Sequence, residues 1–222
     1  MQWLASHTGW LLILDNVNAR RDIDDLLGCA PTGRFLITSR LAAAWPDAVT
    51  ILRLDVLNED DSLALLTRTA TAATGPQDMD GADDLCAELG HLALAIKQAA
   101  AYLAQTPLLT PRGYLNLLAQ APANLYQKGG AGVTNSERTI ARIWRLTLDR
   151  IHQAQPLATE LLRILSWYAP DEIPVNLLDG AASPTALNGA LGLLTAYNMA
   201  TADPNTHTLA NPPPRPVPHP HP

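Results

Sequence analysis

The sequence predicts a mixed fold: an α/β segment with a parallel sheet, then an all-α stretch, then a proline-rich tail. Two apolar runs carry the first part. Trp10-Leu11-Leu12-Ile13-Leu14-Asp15-Asn16-Val17 ends on an acid, and Arg34-Phe35-Leu36-Ile37-Thr38-Ser39-Arg40 ends on a cation. A short run with polar residues only at its C-terminal end reads as a strand buried on both faces of a parallel sheet. Ligands of such sheets bind beyond the carboxyl ends of the strands, so Asp15 and Arg40 are expected near one another at that edge. An acid there suits a metal, and a cation suits a phosphate. The third observation is that the alternation of strands and helices gives way after residue 58 to apolar residues recurring at helical spacing.

Taken in order, Trp3 to His7 reads as the end of a helix that Gly9 breaks before the first strand. A polar helix from Ala19 to Leu27, closed by Gly28 and Pro31, leads to the second strand. Thr50-Ile51-Leu52-Arg53-Leu54 reads as a third strand, and the alternation indicates βαβ units. Asn58 is a good N-cap, and Glu59, Asp60 and Asp61 suit the positive end of a helix running to about Ala72. A polar loop, Thr74 to Gly81, precedes a short helix from Ala82 to Leu89. Leu92, Ile96, Ala99 and Leu103 then follow a helical stripe. Thr110-Pro111 pairs a cap with a proline at the first helical position and opens a helix through Gln120.

Lys128 to Asn135 is glycine-rich and reads as a linker. Beyond it, Ile140, Ile143, Trp144, Leu148 and Ile151 share one helical face, and Leu157, Leu161, Ile164, Leu165 and Tyr168 form another stripe. Trp144, Trp167 and Tyr168 read as core. Pro170 and Pro174 bracket a turn, Ser183-Pro184 starts a helix through roughly Tyr197, and Asp203-Pro204-Asn205 is the turn of a hairpin. This order fits a small winged-helix domain, and periodicity allows a helical bundle equally. From Asn211 the chain is Pro-Pro-Pro-Arg-Pro-Val-Pro-His-Pro-His-Pro, a composition that builds no packed core and predicts an extended, disordered tail.

Composition excludes several classes. A net charge of −6 argues against broad nucleic-acid binding, and Ala186 to Ala196 holds no basic residue with which to read DNA. No segment reaches the roughly 18 apolar residues of a membrane helix. The run from Leu92 to Ala104 is too short and carries Lys97 and Gln98. The start, Met1-Gln2-Trp3-Leu4-Ala5-Ser6-His7, lacks the basic and apolar regions of a signal peptide, so a cytoplasmic protein is expected. Cys29 and Cys86 lie in helical patterns without partners at ligand spacing and read as buried thiols.

These segments, in this order, resemble the NB-ARC class of STAND nucleotide switches, a branch of the P-loop NTPases. Trp10 to Val17 is similar to the Walker B strand, and Gly33 to Arg40 (GRFLITSR) to the strand that ends on a sensor arginine. Ile51-Leu52-Arg53-Leu54 with Asp61 and Ala64-Leu65-Leu66 resembles the strand leading into the first helix beyond the sheet. Gly90-His91-Leu92-Ala93-Leu94-Ala95 stands where the family has Gly-Leu-Pro-Leu-Ala. Residues 139–199, with Trp144 and Ile173-Pro174, resemble the winged-helix region of bacterial members with tetratricopeptide repeats.

The resemblance implies four parts. Residues 1–56 form the C-terminal part of a nucleotide-binding α/β domain, 57–127 a helical lid, 136–209 a winged-helix-like domain and 210–222 the tail. The implied ligand is ADP or ATP with Mg²⁺, with Asp15 as the metal ligand and Thr38, Arg40, Gly90 and Leu92 as nucleotide contacts. Asn16 follows Asp15 where fast ATPases place a glutamate base; an amide cannot take a proton from water, so a slow switch is expected and no enzyme. No G-x-x-x-x-G-K-[ST] occurs, and Gly129-Gly130-Ala131-Gly132 lacks the lysine and the flanking strand of such a loop. Ala93 replaces the family proline, and His207 is the nearest match to the histidine that senses ADP. The expectation is a truncated switch module, missing its N-terminal P-loop segment and unable to bind or hydrolyse nucleotide on its own. Unpaired strand edges would favour protein partners or self-association. His91 reads as a partly exposed helix-start residue and not a ligand. The alternative reading is a helical protein-interaction fragment with no nucleotide function.

Overall fold

The structure, a computed structural model, describes residues 2–17, 19–29, 33–39, 41, 45–46, 49–72, 74–120, 135–169 and 171–210, with backbone only at residues 2, 16, 29 and 135–137. Arg40, residues 128–134 of the glycine-rich linker and residues 211–222 of the tail lie outside the described residues, whereas Asn135 is helical and Ala210 lies in a strand. The chain divides into two compact units, residues 1–54 and 55–222.

In the first unit α1 (Gln2–Ser6) precedes β1 (Leu11–Val17), and a 3₁₀ turn (Arg20–Asp22) and α2 (Asp24–Cys29) lead to β2 (Arg34–Ser39). The two strands pair in parallel, with Leu12 opposite Phe35, Ile13 opposite Leu36 and Leu14 opposite Ile37. Trp10 anchors the start of β1: its indole N–H is shared between the carbonyls of Leu4 at 3.1 Å and His7 at 3.0 Å. Its ring lies over Gly33, where a Cβ would meet ring carbons at 2.1 Å, and meets Phe35 edge-on with centroids 5.3 Å apart.

Three expectations for this unit are corrected. The strands are not buried on both faces: Leu12, Leu14, Phe35 and Ile37 are part-buried, whereas Leu11, Ile13 and Leu36 on the other face are half exposed or more. Among the described residues of this unit only Val17 and Ile23 are buried hydrophobics, so one sheet face has no second layer upon it. Thr50 to Leu54 is not a strand, and Leu54 is 98% exposed. A strand persists only where a neighbour takes up its backbone groups, and among the described residues this sheet consists of β1 and β2. The polar helix is split, and Gly28 lies inside α2 instead of ending it. Ile23 marks the join, its N–H bonded to Arg20 O at 2.9 Å and its carbonyl to Leu27 N at 2.9 Å.

The second unit is helical with a small sheet. Helices α3 (Glu59–Thr71), α4 (Ala82–Glu88), α5 (Ala93–Ala104), α6 (Pro111–Gln120), α7 (Asn135–Ala154), α8 (Pro156–Leu165) and α9 (Pro184–Ala196) fall where the sequence placed them. The caps are those expected. Asn58 accepts from Asp61 N at 2.7 Å, Thr110 Oγ1 from Gly113 N at 3.2 Å and Ser183 Oγ from Ala186 N at 3.4 Å. Helix α5 is buried around most of its circumference, as an apolar helix at the centre of a bundle should be. Cys86 is buried, and burial together with nearby Asp83 pushes its thiol up to about 11, which keeps it neutral near pH 7.

The hairpin β4 (Thr201–Asp203) and β5 (Thr208–Ala210) turns as expected, with Asn205 N donating to Asp203 Oδ1 at 2.8 Å. That bond is the main cause holding the Asp203 carboxyl below its usual range. The segment read as a turn between prolines also contributes a strand. β3 (Ile173–Pro174) pairs antiparallel with β5, giving the order β3-β5-β4.

One core runs continuously from Leu66 through α5 to Leu209. Gln98, buried on α5, donates through Nε2 to Asn198 O at 2.8 Å, across a hundred residues of sequence. Beside it the rings of Tyr102 and Tyr197 meet at 5.9 Å and those of Tyr102 and Tyr114 at 5.1 Å. Trp144 is core as expected, but Trp167 and Tyr168 are not: they are 86% and 43% exposed. An apolar stripe through Tyr168 requires α8 to continue beyond Leu165. The helix ends at Leu165, where Ser166 Oγ bonds Arg163 O at 2.6 Å, and the next residues turn out of helical register.

Candidate functional site

The site begins with the alternation of β1. Register places Asp15 next to Thr38 on the same sheet face as Ile13 and Leu36, and the Thr38 hydroxyl donates to Asp15 Oδ1. Immediately beyond, the ladder slips. Leu14 pairs with Ile37 but Val17 pairs with Ser39, so β1 carries one residue more than β2 across Asp15 and Asn16. Such bulges re-aim a side chain at the end of a strand. Ser39 Oγ closes the edge by donating to Val17 O at 2.7 Å and accepting from Leu41 N at 3.1 Å.

The carboxyl end of the sheet is therefore an exposed carboxylate braced by one hydroxyl, with a second hydroxyl tying the strand ends together. The bond from Thr38 to Asp15 is not an expectation of the sequence, which pairs Asp15 with Arg40 at this edge. The expected approach of Arg40 falls outside the described residues, as does the side chain of Asn16. Sequence reading did not single out Ser39 or the bulge. The Thr38-Ser39 doublet was their only signal, and a one-residue slip depends on both strands at once.

Asp15 suits one kind of metal chemistry. Mg²⁺ is typically held by one or two carboxylates with waters and substrate phosphates, not by an all-protein cage. One carboxylate with an adjacent hydroxyl fits that donor set when phosphate oxygens complete it. Among the described residues no three His, Cys, Asp or Glu side chains gather as a metal cage.

Gly90 and Leu92 lie in the second unit, at the turn between α4 and α5. Gly90 and His91 are both left-handed, with φ of 62° and 54°. His91 N bonds Cys86 O at 3.0 Å, so two left-handed residues close α4 and redirect the chain. Leu92 is the N-cap of α5 and provides no side-chain acceptor. The turn is bolted to the start of α3: Leu57 N donates to His91 O at 3.0 Å, and His91 Nδ1 lies 3.0 Å from Ser62 Oγ. Ser62 Oγ in turn lies 2.7 Å from Asn58 O. His91 is part-buried, as read from sequence. His207 sits in the β4–β5 turn with φ 52°, its carbonyl accepting from Val175 N at 3.0 Å.

No family model matches the chain. It is 28% identical over 219 residues to a nucleotide-binding leucine-rich repeat (NLR)-like protein of Hyaloscypha variabilis, covering 86% of this chain and 22% of that protein. It is 34% identical over 94 residues to the regulatory protein AfsR of Streptomyces griseus, covering 42% of this chain and 10% of that one. The chain thus spans about a fifth of the first relative and a tenth of the second. These similarities support a relationship to NLR- and NB-ARC-like signalling proteins. No helix among the described residues is long and apolar enough to cross a membrane.

Proposed function

We propose that this chain is a module of a nucleotide-controlled signalling switch of the NB-ARC kind, and that Asp15 is its magnesium ligand. The observation that carries the proposal is the exposed, braced acid at the carboxyl edge of two parallel strands, beside a bulge in the ladder. Similarity to a protein named for nucleotide binding, across most of the chain, supports it. In this reading Asp15 orients Mg²⁺ through water, Thr38 positions the carboxylate and Arg40 reports a γ-phosphate. Gly90 and Leu92 are assigned as nucleotide contacts by the family resemblance. A bound nucleotide supplies the phosphate charge that makes one domain arrangement more stable than another. Helices α7 to α9 with the β3-β5-β4 sheet serve as a winged-helix-like domain.

Backbone N–H groups and the lysine of a glycine-rich loop supply most phosphate affinity in such proteins, and the 222 residues contain no such motif. The affinity expected of this chain is therefore about millimolar, near −4 kcal/mol. Titration calorimetry with Mg-ADP and Mg-ATP should show weak, magnesium-dependent binding that falls at least about tenfold in Asp15→Ala and in Arg40→Ala, or 1.4 kcal/mol. Absence of binding at several millimolar, or binding indifferent to Asp15→Ala, removes the nucleotide reading and leaves a protein-interaction fragment.

The half-exposed face bearing Leu11, Ile13 and Leu36 gives the module a surface for protein partners or self-association. Sedimentation of the isolated chain should show concentration-dependent association. A cooperatively folded monomer across the concentration range would sink this part of the reading.

A further inference from the structure

We propose that the aromatic pair Trp167–Tyr168 is a docking site for the chain's own proline-rich segment, residues 211–222. Among the described aromatic residues of the second unit the pair is the most exposed, at 86% and 43%. It follows α8 in a turn held by Trp167 N to Ile164 O at 3.1 Å and Tyr168 N to Leu165 O at 3.1 Å, so both rings project from fixed backbone. An ordered backbone that presents two adjacent aromatic rings to solvent is the chemistry that recognises polyproline II segments. Such segments lose little entropy on binding and lay their prolines against aromatic faces.

The occupant is chosen by three observations. First, the segment Pro212-Pro213-Pro214-Arg215-Pro216-Val217-Pro218 has the composition that favours polyproline II and includes the P-x-x-P spacing Pro213 to Pro216. Second, the sheet delivers its root to the right place. Leu209 pairs with Ile173, so Ala210 is level with Glu172, four residues along the chain from Tyr168. Four residues span at most about 14 Å, whereas residues 211–222 at about 3.1 Å each reach roughly 37 Å. Third, charge is complementary: the exposed acids Asp171 and Glu172 follow the aromatic pair, and Arg215 is the one Lys or Arg in the segment. A tether this short presents the segment at about millimolar effective concentration, enough for a weak aromatic–proline contact to be substantially formed. Docking covers the exposed indole.

The test is the indole N–H resonance of Trp167 in the ¹⁵N-labelled full chain, assigned by Trp167→Phe. In a full-length variant carrying Pro212→Gly, Pro213→Gly, Pro214→Gly and Pro216→Gly the resonance should shift, and its broadening by a soluble paramagnetic agent should increase. Arg215→Glu should move it in the same direction by a smaller amount. A synthetic peptide of residues 211–222 added to the glycine variant should return the resonance toward its position in the unaltered chain. An indole signal identical in the unaltered and glycine-substituted chains overturns the proposal. So does a shift that disappears on tenfold dilution of the unaltered chain, because that behaviour belongs to docking between two copies.

Discussion

Replacing Tyr114 by alanine is expected to lower the stability of the second unit by about 4 kcal/mol, or roughly 8–16 °C in Tm for a unit of this size. Tyr114 is fully buried on α6, packed on Tyr102, and lies in the core shared with α5 and α7. Removing a ring of that size opens a cavity that the packed helices around it cannot fully collapse to fill. The phenylalanine variant separates ring from hydroxyl. The Tyr114 hydroxyl is buried with no hydrogen-bond partner among the described groups, and that burial raises its pKa. A buried hydroxyl without a partner costs about 1–3 kcal/mol in lost hydration. Tyr114→Phe should therefore be neutral or stabilising by about 1 kcal/mol, while Tyr114→Ala is severely destabilising. Urea unfolding followed by circular dichroism reads both; a Phe variant weaker than the unaltered chain by more than about 1 kcal/mol would mean that the hydroxyl has a bonding partner.

Gly81→Ala should cost about 2–4 kcal/mol, from left-handed strain and overpacking together. Gly81 is the left-handed N-cap of α4, with φ 78° and ψ 15°. A Cβ there would stand 2.8 Å from Arg112 Cβ and 3.0 Å from Arg112 Cα and N, so the obstacle is mainly the backbone of α6's first turn. That turn cannot step aside, because Arg112 N is bonded to Asp80 O at 2.9 Å and its guanidinium to Asp80 and Asp84, each at 2.9 Å. Gly75 supplies the control. It has the same φ of 78° with nothing within 4 Å, so Gly75→Ala should show only the backbone strain, about 1 kcal/mol. Thermal unfolding of the two variants side by side gives the packing contribution by difference. Equal losses would show that α4 and α6 are not in the close approach described.

Much of this architecture was legible because its signals are local. Asn58, Thr110-Pro111 and Ser183-Pro184 announce helices through bonds to groups within three residues, and the boundaries drawn from them agree with the structure to within a residue or two. The Asp203-Pro204-Asn205 turn was legible for the same reason. At the candidate site, the placement of Asp15 at the carboxyl end of two parallel strands followed from two strand patterns, whereas its bond to Thr38 did not. The bulge and the closing bond from Ser39 to Val17 were not legible, since a slip in register belongs to a pair of strands and to neither sequence by itself.

What the sequence by itself determined is therefore the helices of the second unit, the caps of α3, α6 and α9, the parallel pairing of β1 with β2 and the acid at its edge. Each depends on residues a few positions apart, or on a simple period. Tertiary structure decided the rest. It left Thr50 to Leu54 without a ladder, because apolar β propensity does not supply a neighbouring strand. It buried Gln98, because the carbonyl of Asn198 arrives from the far end of the chain to meet it. It turned Trp167 and Tyr168 outward, because α8 stops one turn before the apolar stripe does. In all three the outcome rests on groups distant in sequence or on where an element ends, which side-chain pattern does not encode.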